Sequence, residues 1–220
     1  AYAGGSEIMH IVSHKGKLYA SNGFWVDARW VIPPDGQKQS AQVLRLDSMA
    51  EKWQVDLDMG ESNNRGLAYM KGNILKSVTF TRDASGKALP HPENLLVMAA
   101  GANFERGGAV SSWTRDDEKN AWVHTLVRHG SSVGGIRWVP RDMEVYEDKK
   151  TGIERIFLSL GNPGIVSGVY DPTIPGKIRW SQHLEFPFPE GGSLHTQGRE
   201  FFDYRRTVSL GALSPLLFEL

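Results

Sequence analysis

The strongest constraint on this 220-residue chain is a set of three features that recurs along it in a fixed order. The first is a glycine-led opening to an apolar strand: Gly4-Gly5-Ser6-Glu7-Ile8-Met9-His10, Arg65-Gly66-Leu67-Ala68-Tyr69, Gly134-Gly135-Ile136-Arg137-Trp138 and Gly191-Gly192-Ser193-Leu194-His195. Their first apolar residues, Ile8, Leu67, Ile136 and Leu194, fall 59, 69 and 58 residues apart. The second is an apolar strand that runs into glycine: Leu18 to Gly23, Leu95 to Gly101, Ile156 to Gly161, and again Thr207 to Gly211. The third is a strand ending in Asp, a polar turn, and a strand opening on Trp, in the pairs Asp47 and Trp53, Asp116 and Trp122, Asp171 and Trp180. Each of these Trp residues is followed four positions later by Leu (Leu57, Leu126, Leu184). Side chains at i and i+4 of a strand share a face, so each Trp is expected to pack with its Leu.

In order, these features spell out a meander of four antiparallel strands, A to D, in a unit of about 60 residues. Lys15-Gly16 and the stretch Asp83 to Gly86 read as A–B hairpin turns. The expected fold is all-β: a β-propeller of four-stranded antiparallel blades, about three complete and a fourth incomplete. Blade 1 is expected at 1–60, blade 2 at 61–130, blade 3 at 131–190 and the partial blade 4 at 191–220, in one continuous domain. An open strand edge invites further pairing, so the chain is expected either as a compact four-bladed ring or, as the apolar stretch Phe218-Glu219-Leu220 favours, as part of a larger propeller completed by another chain or segment. A β-sandwich is the competing reading. Trp53, Trp122 and Trp180 recur and are expected in the core, whereas Trp25 and Trp30 do not recur and are expected to face a ligand.

Composition narrows the function class more than it names one. Twenty-five basic residues balance 25 acidic ones, which argues against a mainly electrostatic nucleic-acid partner. No apolar run approaches transmembrane length, so no membrane partner is expected. Cysteine is absent, which removes thiolate nucleophiles and cysteine-ligated zinc. The opening Ala-Tyr-Ala fits a processed secretory chain, which favours an extracellular location. No cofactor and no metal site are expected. His10 and His14 have the spacing of a helical zinc pair but fall on a strand and its turn. Asp116-Asp117-Glu118 reads as a solvated turn rather than a calcium site.

Two stretches carry a resemblance to a known repeat. Leu18-Tyr19 leads to Asn22-Gly23, and Val169-Tyr170-Asp171-Pro172 leads to Trp180. An apolar strand running into paired glycines, then an aromatic-Asp-Pro turn and a Trp, resembles the kelch-type propeller blade. Over most of the chain the pattern is degenerate, since Ala-Gly-Ala and Leu-Gly-Asn stand where the later units would carry their glycine pair.

In a propeller the D–A and B–C connections gather at one end of the central channel, where ligands usually bind. The D–A side brings Glu7, His10, Arg65, Arg137 and His195; the B–C side brings Asn22, Trp25, Asn103, Arg106 and Asn162. Cations, imidazoles, amides and an exposed aromatic suit a carbohydrate, with acidic polysaccharide as one substrate class. If the protein is an enzyme, it is read as a lyase or hydrolase. Arg65 or Arg137 would neutralise a substrate carboxylate, His10 or His195 would act as base, and Tyr69 or Tyr204 as acid. The alternatives are a propeller that binds a protein or glycan without turnover, and a structural subunit of a larger assembly.

Overall fold

The computed structural model describes residues 7–23, 41–59, 69–102, 109–129, 139–161 and 164–187. These residues form twelve strands and no helix, grouped as three four-stranded antiparallel sheets. The first sheet runs β1 (Glu7–His14), β2 (Lys17–Gly23), β3 (Gln42–Leu46) and β4 (Gln54–Asp58). The second runs β5 (Tyr69–Arg82), β6 (Ala88–Ala102), β7 (Ala109–Asp116) and β8 (Ala121–His129). The third runs β9 (Met143–Glu147), β10 (Glu154–Ser159), β11 (Gly164–Tyr170) and β12 (Ile178–Pro187). Every sheet is therefore a sequential meander, as the repeat implied. Ring closure is not seen among the described residues.

The expected turns have the required chemistry. Lys15 and Gly16 both have positive φ, 45° and 77°, which matches the hairpin turn whose twist suits two antiparallel strands. The β5–β6 turn closes with the Gly86 amide on the Asp83 carbonyl at 3.0 Å, and the Asp83 carboxylate takes the Ser85 and Lys87 amides. Asp148 at the β9–β10 turn and Asp171 at the β11–β12 turn use their carboxylates in the same way, on Lys150 and Thr173. An aspartate that satisfies the amide two residues on is a local turn device.

The second sheet is central. Along β6, alternate residues serve opposite neighbours: Leu96, Met98 and Ala100 pack with Tyr19, Val43 and Leu57 of the first sheet, while Leu95, Val97 and Ala99 pack with Ile156, Leu158 and Val166 of the third. Burial on both faces is why the sequence reads there as an unbroken apolar run instead of an alternation. The first strands of the sheets sit together, with β5 touching both β1 and β9.

The Gly134 to Trp138 opening of the third unit lies outside the described residues, among which the third sheet begins with β9 at Met143. One detail departs from expectation. Trp53 was expected in the core and is 43 % exposed. The cause is a bulge: Val43 pairs with Leu57 and Leu44 with Val55, so β4 carries one extra residue, Asp56. One extra residue flips the face of everything before it. Leu57 therefore packs toward the second sheet, while Val55 is exposed on the other side. Trp122 with Leu126, and Trp180 with Leu184, do share clusters as expected.

Candidate functional site

Two polar clusters stand out, at opposite ends of the strands. The first lies at the end from which the chain leaves for residues 24–40 and 60–68. It gathers His10 of β1, Ser21 and Asn22 of β2, Gln42 of β3, Asp58 of β4 and Asn73 of β5. Asn73 is its hub: its Oδ1 accepts from the Ser21 hydroxyl at 2.9 Å, its Nδ2 donates to the Asn22 carbonyl at 2.8 Å, and its carbonyl lies 2.9 Å from His10 Nε2. Asn22 Oδ1 accepts from the Gln42 amide at 2.8 Å, and Gln42 Nε2 donates to Asp58 at 2.9 Å.

A carbonyl only accepts, so His10 Nε2 carries the hydrogen. Burial lowers the His10 pKa below 6.5, against the Asn73 hydrogen bond and the nearby Asp142, which raise it. The neutral ring with Nε2 protonated leaves Nδ1 as an acceptor, and among the described residues Nδ1 has no hydrogen-bond partner. Asp142 precedes β9, and Lys76 of β5 donates to the Met143 carbonyl at 2.8 Å, so this corner draws on all three sheets. Ser21, Asn22, Gln42 and Asn73 are buried and bond one another, so they fix the shape of this corner, while the half-buried His10 and Asp58 lie at its edge.

The second cluster lies at the hairpin end, between the first and second sheets. Asp56 accepts from Arg115 Nε at 3.0 Å and Trp122 Nε1 at 2.7 Å, and also pairs with Arg45. Asp117 takes Arg115 Nη1 at 2.9 Å, His14 Nε2 at 3.0 Å and Lys15 Nζ at 2.9 Å. Arg115 lies 5.4 Å above the Tyr19 ring, whose hydroxyl pKa burial pushes up to about 12 against the pull of Arg115. His14 Nδ1 is 3.0 Å from Ser77 Oγ, so Ser77, His14 and Asp117 line up in the order of a nucleophile, a base and an orienting acid. The His14 side chain is fully covered, however, and each ring nitrogen is spent on a different neighbour across the interface. We read that row as a tie between sheets.

Of the residues singled out in the sequence, His10 and Asn22 meet in the first cluster, and Glu7 opens β1 and is exposed. Tyr69 opens β5. Arg65, Arg137, His195, Trp25, Asn103, Arg106, Asn162 and Tyr204 lie outside the described residues. Sequence reasoning missed Asn73, Gln42 and Asp58, although their place is regular: each sits one to five residues inside a strand end that borders a D–A or B–C connection. It also missed Asp56 and Arg115, and read Asp117 as solvated where the structure sets it against two cations, Arg115 and Lys15, and the His14 ring. No signal in the chain order joins Asp56 to Arg115. Among the described residues no group of three or more metal-ligating side chains comes together, and no helix is long and apolar enough to cross a membrane. No family model, curated protein or solved structure matches this chain.

Proposed function

We propose that the three sheets are blades of a propeller-type array, related to the kelch-type repeat, and that its Asn73 corner binds a carbohydrate. The observation that carries the ligand reading is the orientation of His10. Its Nε2–H is held on the Asn73 carbonyl, so a neutral Nδ1 accepts, and the buried Ser21, Asn22, Gln42 and Asn73 hold that arrangement in place from beneath. Sugar hydroxyls donate as well as accept, and a half-buried imidazole acceptor with a half-buried carboxylate nearby complements them. The neighbouring connections would add Trp25, Asn103, Arg106 and Asn162 as stacking and hydrogen-bonding groups, and Arg65 and Arg137 as partners for an acidic sugar. A location outside the cell fits such a ligand.

The second reading is catalysis at the same corner, favoured by the lowered pKa of His10, which keeps Nδ1 available as a base at neutral pH. In a β-elimination this nitrogen would take the proton α to a uronate carboxylate as the bond to the leaving oxygen breaks. The third reading, a structural subunit, needs no ligand at all.

Titration calorimetry with neutral and uronic-acid oligosaccharides separates these. Binding that weakens about tenfold in His10→Ala, the size of one lost hydrogen bond, supports the carbohydrate site. Absence of binding to either class removes it. Release of unsaturated product that survives in both His10→Ala and His195→Ala would end the reading of these histidines as the base, and no unsaturated product from the wild type would end the lyase reading.

A further inference from the structure

The recurring Trp has the same job in the second and third sheets. Trp122 opens β8, packs against the cluster shared with the first sheet, and donates its indole N–H to Asp56 of that sheet. Trp180 opens β12, is 6 % exposed, packs in the cluster shared with the second sheet, and donates to Ser112 Oγ there at 3.0 Å. Each therefore reaches back to the sheet before it. Trp53 holds the corresponding place just ahead of β4, and it has no sheet before it among the described residues.

The face on that side of the first sheet is apolar across all four strands. Register aligns Ile11 with Ala20, Ala20 with Leu44, and Leu44 with Val55; a second rung aligns Leu18 with Leu46. The outer residues of this face, Ile11 and Val55, are 63 % and 58 % exposed, while between them Leu44 is half-buried and the small Ala20 is buried. An antiparallel sheet that faces water on one side normally carries polar residues there. In the second sheet the face directed at its predecessor (Leu96, Met98, Trp113) is fully covered, as is that of the third (Ile156, Leu158). The first sheet is thus built like its siblings, with a predecessor-type face and a predecessor-type Trp.

The chain itself holds a candidate to fill that place. After Pro187, 33 residues follow, and they repeat the unit's own features: the opening Gly191-Gly192-Ser193-Leu194-His195 and the strand Thr207-Val208-Ser209-Leu210-Gly211. Val208 and Leu210 alternate with Thr207 and Ser209, the pattern of a strand that buries one apolar face. We propose that residues 193–220 dock on the Ile11–Ala20–Leu44–Val55 face of the first sheet, with Trp53 as the anchor that reaches back onto them. The proposal is independent of the carbohydrate reading, which concerns the strand ends and not this face.

The absence of native cysteine makes a clean test. In the full chain, Val55→Cys is paired with Val208→Cys in one variant and with Leu210→Cys in another. Each is treated with a bis-maleimide spanning about 10 Å, the spacing of sheets packed face to face. Val55→Cys alone is labelled with a small maleimide, folded and in urea. The expected results are an intramolecular crosslink in at least one pair, and labelling of folded Val55→Cys slowed by an order of magnitude or more. Crosslinks found only between two chains give the face to a second copy and overturn the proposal. Protection without either crosslink gives it to another partner and overturns it too. Equal labelling in folded and urea-treated protein shows a bare face and has the same effect.

Discussion

The two interfaces flanking the central sheet solve the same packing problem by different means. Between the second and third sheets the contact is dominated by one apolar cluster, from Phe80 and Val97 through Ile156 and Leu158 to Trp180. The main charged intruder, Glu154, is spent on backbone: it accepts from the Thr81 amide at 2.6 Å and the Arg82 amide at 3.0 Å, satisfying edge groups of β5. Between the first and second sheets the apolar cluster is smaller, and beside it lies the network of Asp56, Arg115, Arg45, Asp117 and His14. Area burial is tolerant, because apolar side chains repack. Buried ion networks are not, because each member depends on its partners remaining in place. The first interface should therefore be specific in register and vulnerable to charge changes, and the second should be sensitive mainly to volume.

The largest effect is expected at Asp56, whose loss removes the carboxylate shared by two guanidiniums and an indole. Asp56→Ala should cost about 3 kcal/mol, at the low end for breaking a buried pair because Arg115 and Arg45 keep Asp117 and Asp47. The urea midpoint reports it. A shift no larger than that of an exposed carboxylate such as Glu51→Ala would reduce the network to a set of surface pairs and erase the contrast. Next in size is Gly168→Ala in the other interface. A methyl there would stand 2.9 Å from Ile178 Cγ2 and 3.0 Å from the Trp180 ring, with Ile156 Cγ2 at 3.2 Å. Overpacking of this kind costs about 1–3 kcal/mol, again read from the urea midpoint. Ile178→Ala removes the Cγ2 that the methyl meets, so a double variant that loses less than the sum of the two single losses would confirm that volume, not backbone conformation, is the cause.

How much of this was legible in the sequence follows from the same contrast. Strands β2, β6 and β10 announced themselves because burial on one or both faces produces apolar runs, and glycine ends them. Turns announced themselves because Lys15-Gly16, Asp83 and Asp171 solve local backbone problems with local residues. The bulge at Asp56 was invisible, since nothing in Gln54-Val55-Asp56-Leu57-Asp58 distinguishes a regular alternation from one with a residue inserted, and this misplaced Trp53. The ion network was invisible for a related reason. Asp56 and Arg115 become neighbours only when two sheets stack, and charge pairs between distant strands leave no periodic trace. The candidate site was half legible: His10 and Asn22 flank recognisable strand ends, but the hub, Asn73, lies within the long strand β5, where an amide reads as an ordinary polar position.

The smallest expected effect also separates the interfaces, through pH. His10 belongs to β1 and is held on β5, so it reports on the contact between the first and second sheets. Burial places its folded pKa below the ordinary 6.5. The unfolded chain then binds the proton more readily, so stability is complete above about pH 6.5 and declines as pH falls toward the folded value. Asp117 works at lower pH: burial would raise its pKa, but the bonds from Lys15 and His14 outweigh that and hold it below 3.8. Its contribution is present above that value and is lost only as pH drops through the depressed one. Urea midpoints between pH 7 and 5 should therefore fall in the wild type and fall less in His10→Asn. Amide exchange across β1 and β5 should quicken in that window, while exchange in β10 and β11 stays constant. Equal quickening in all four strands would mean that His10 acts on the whole fold, and that the two interfaces unfold as one.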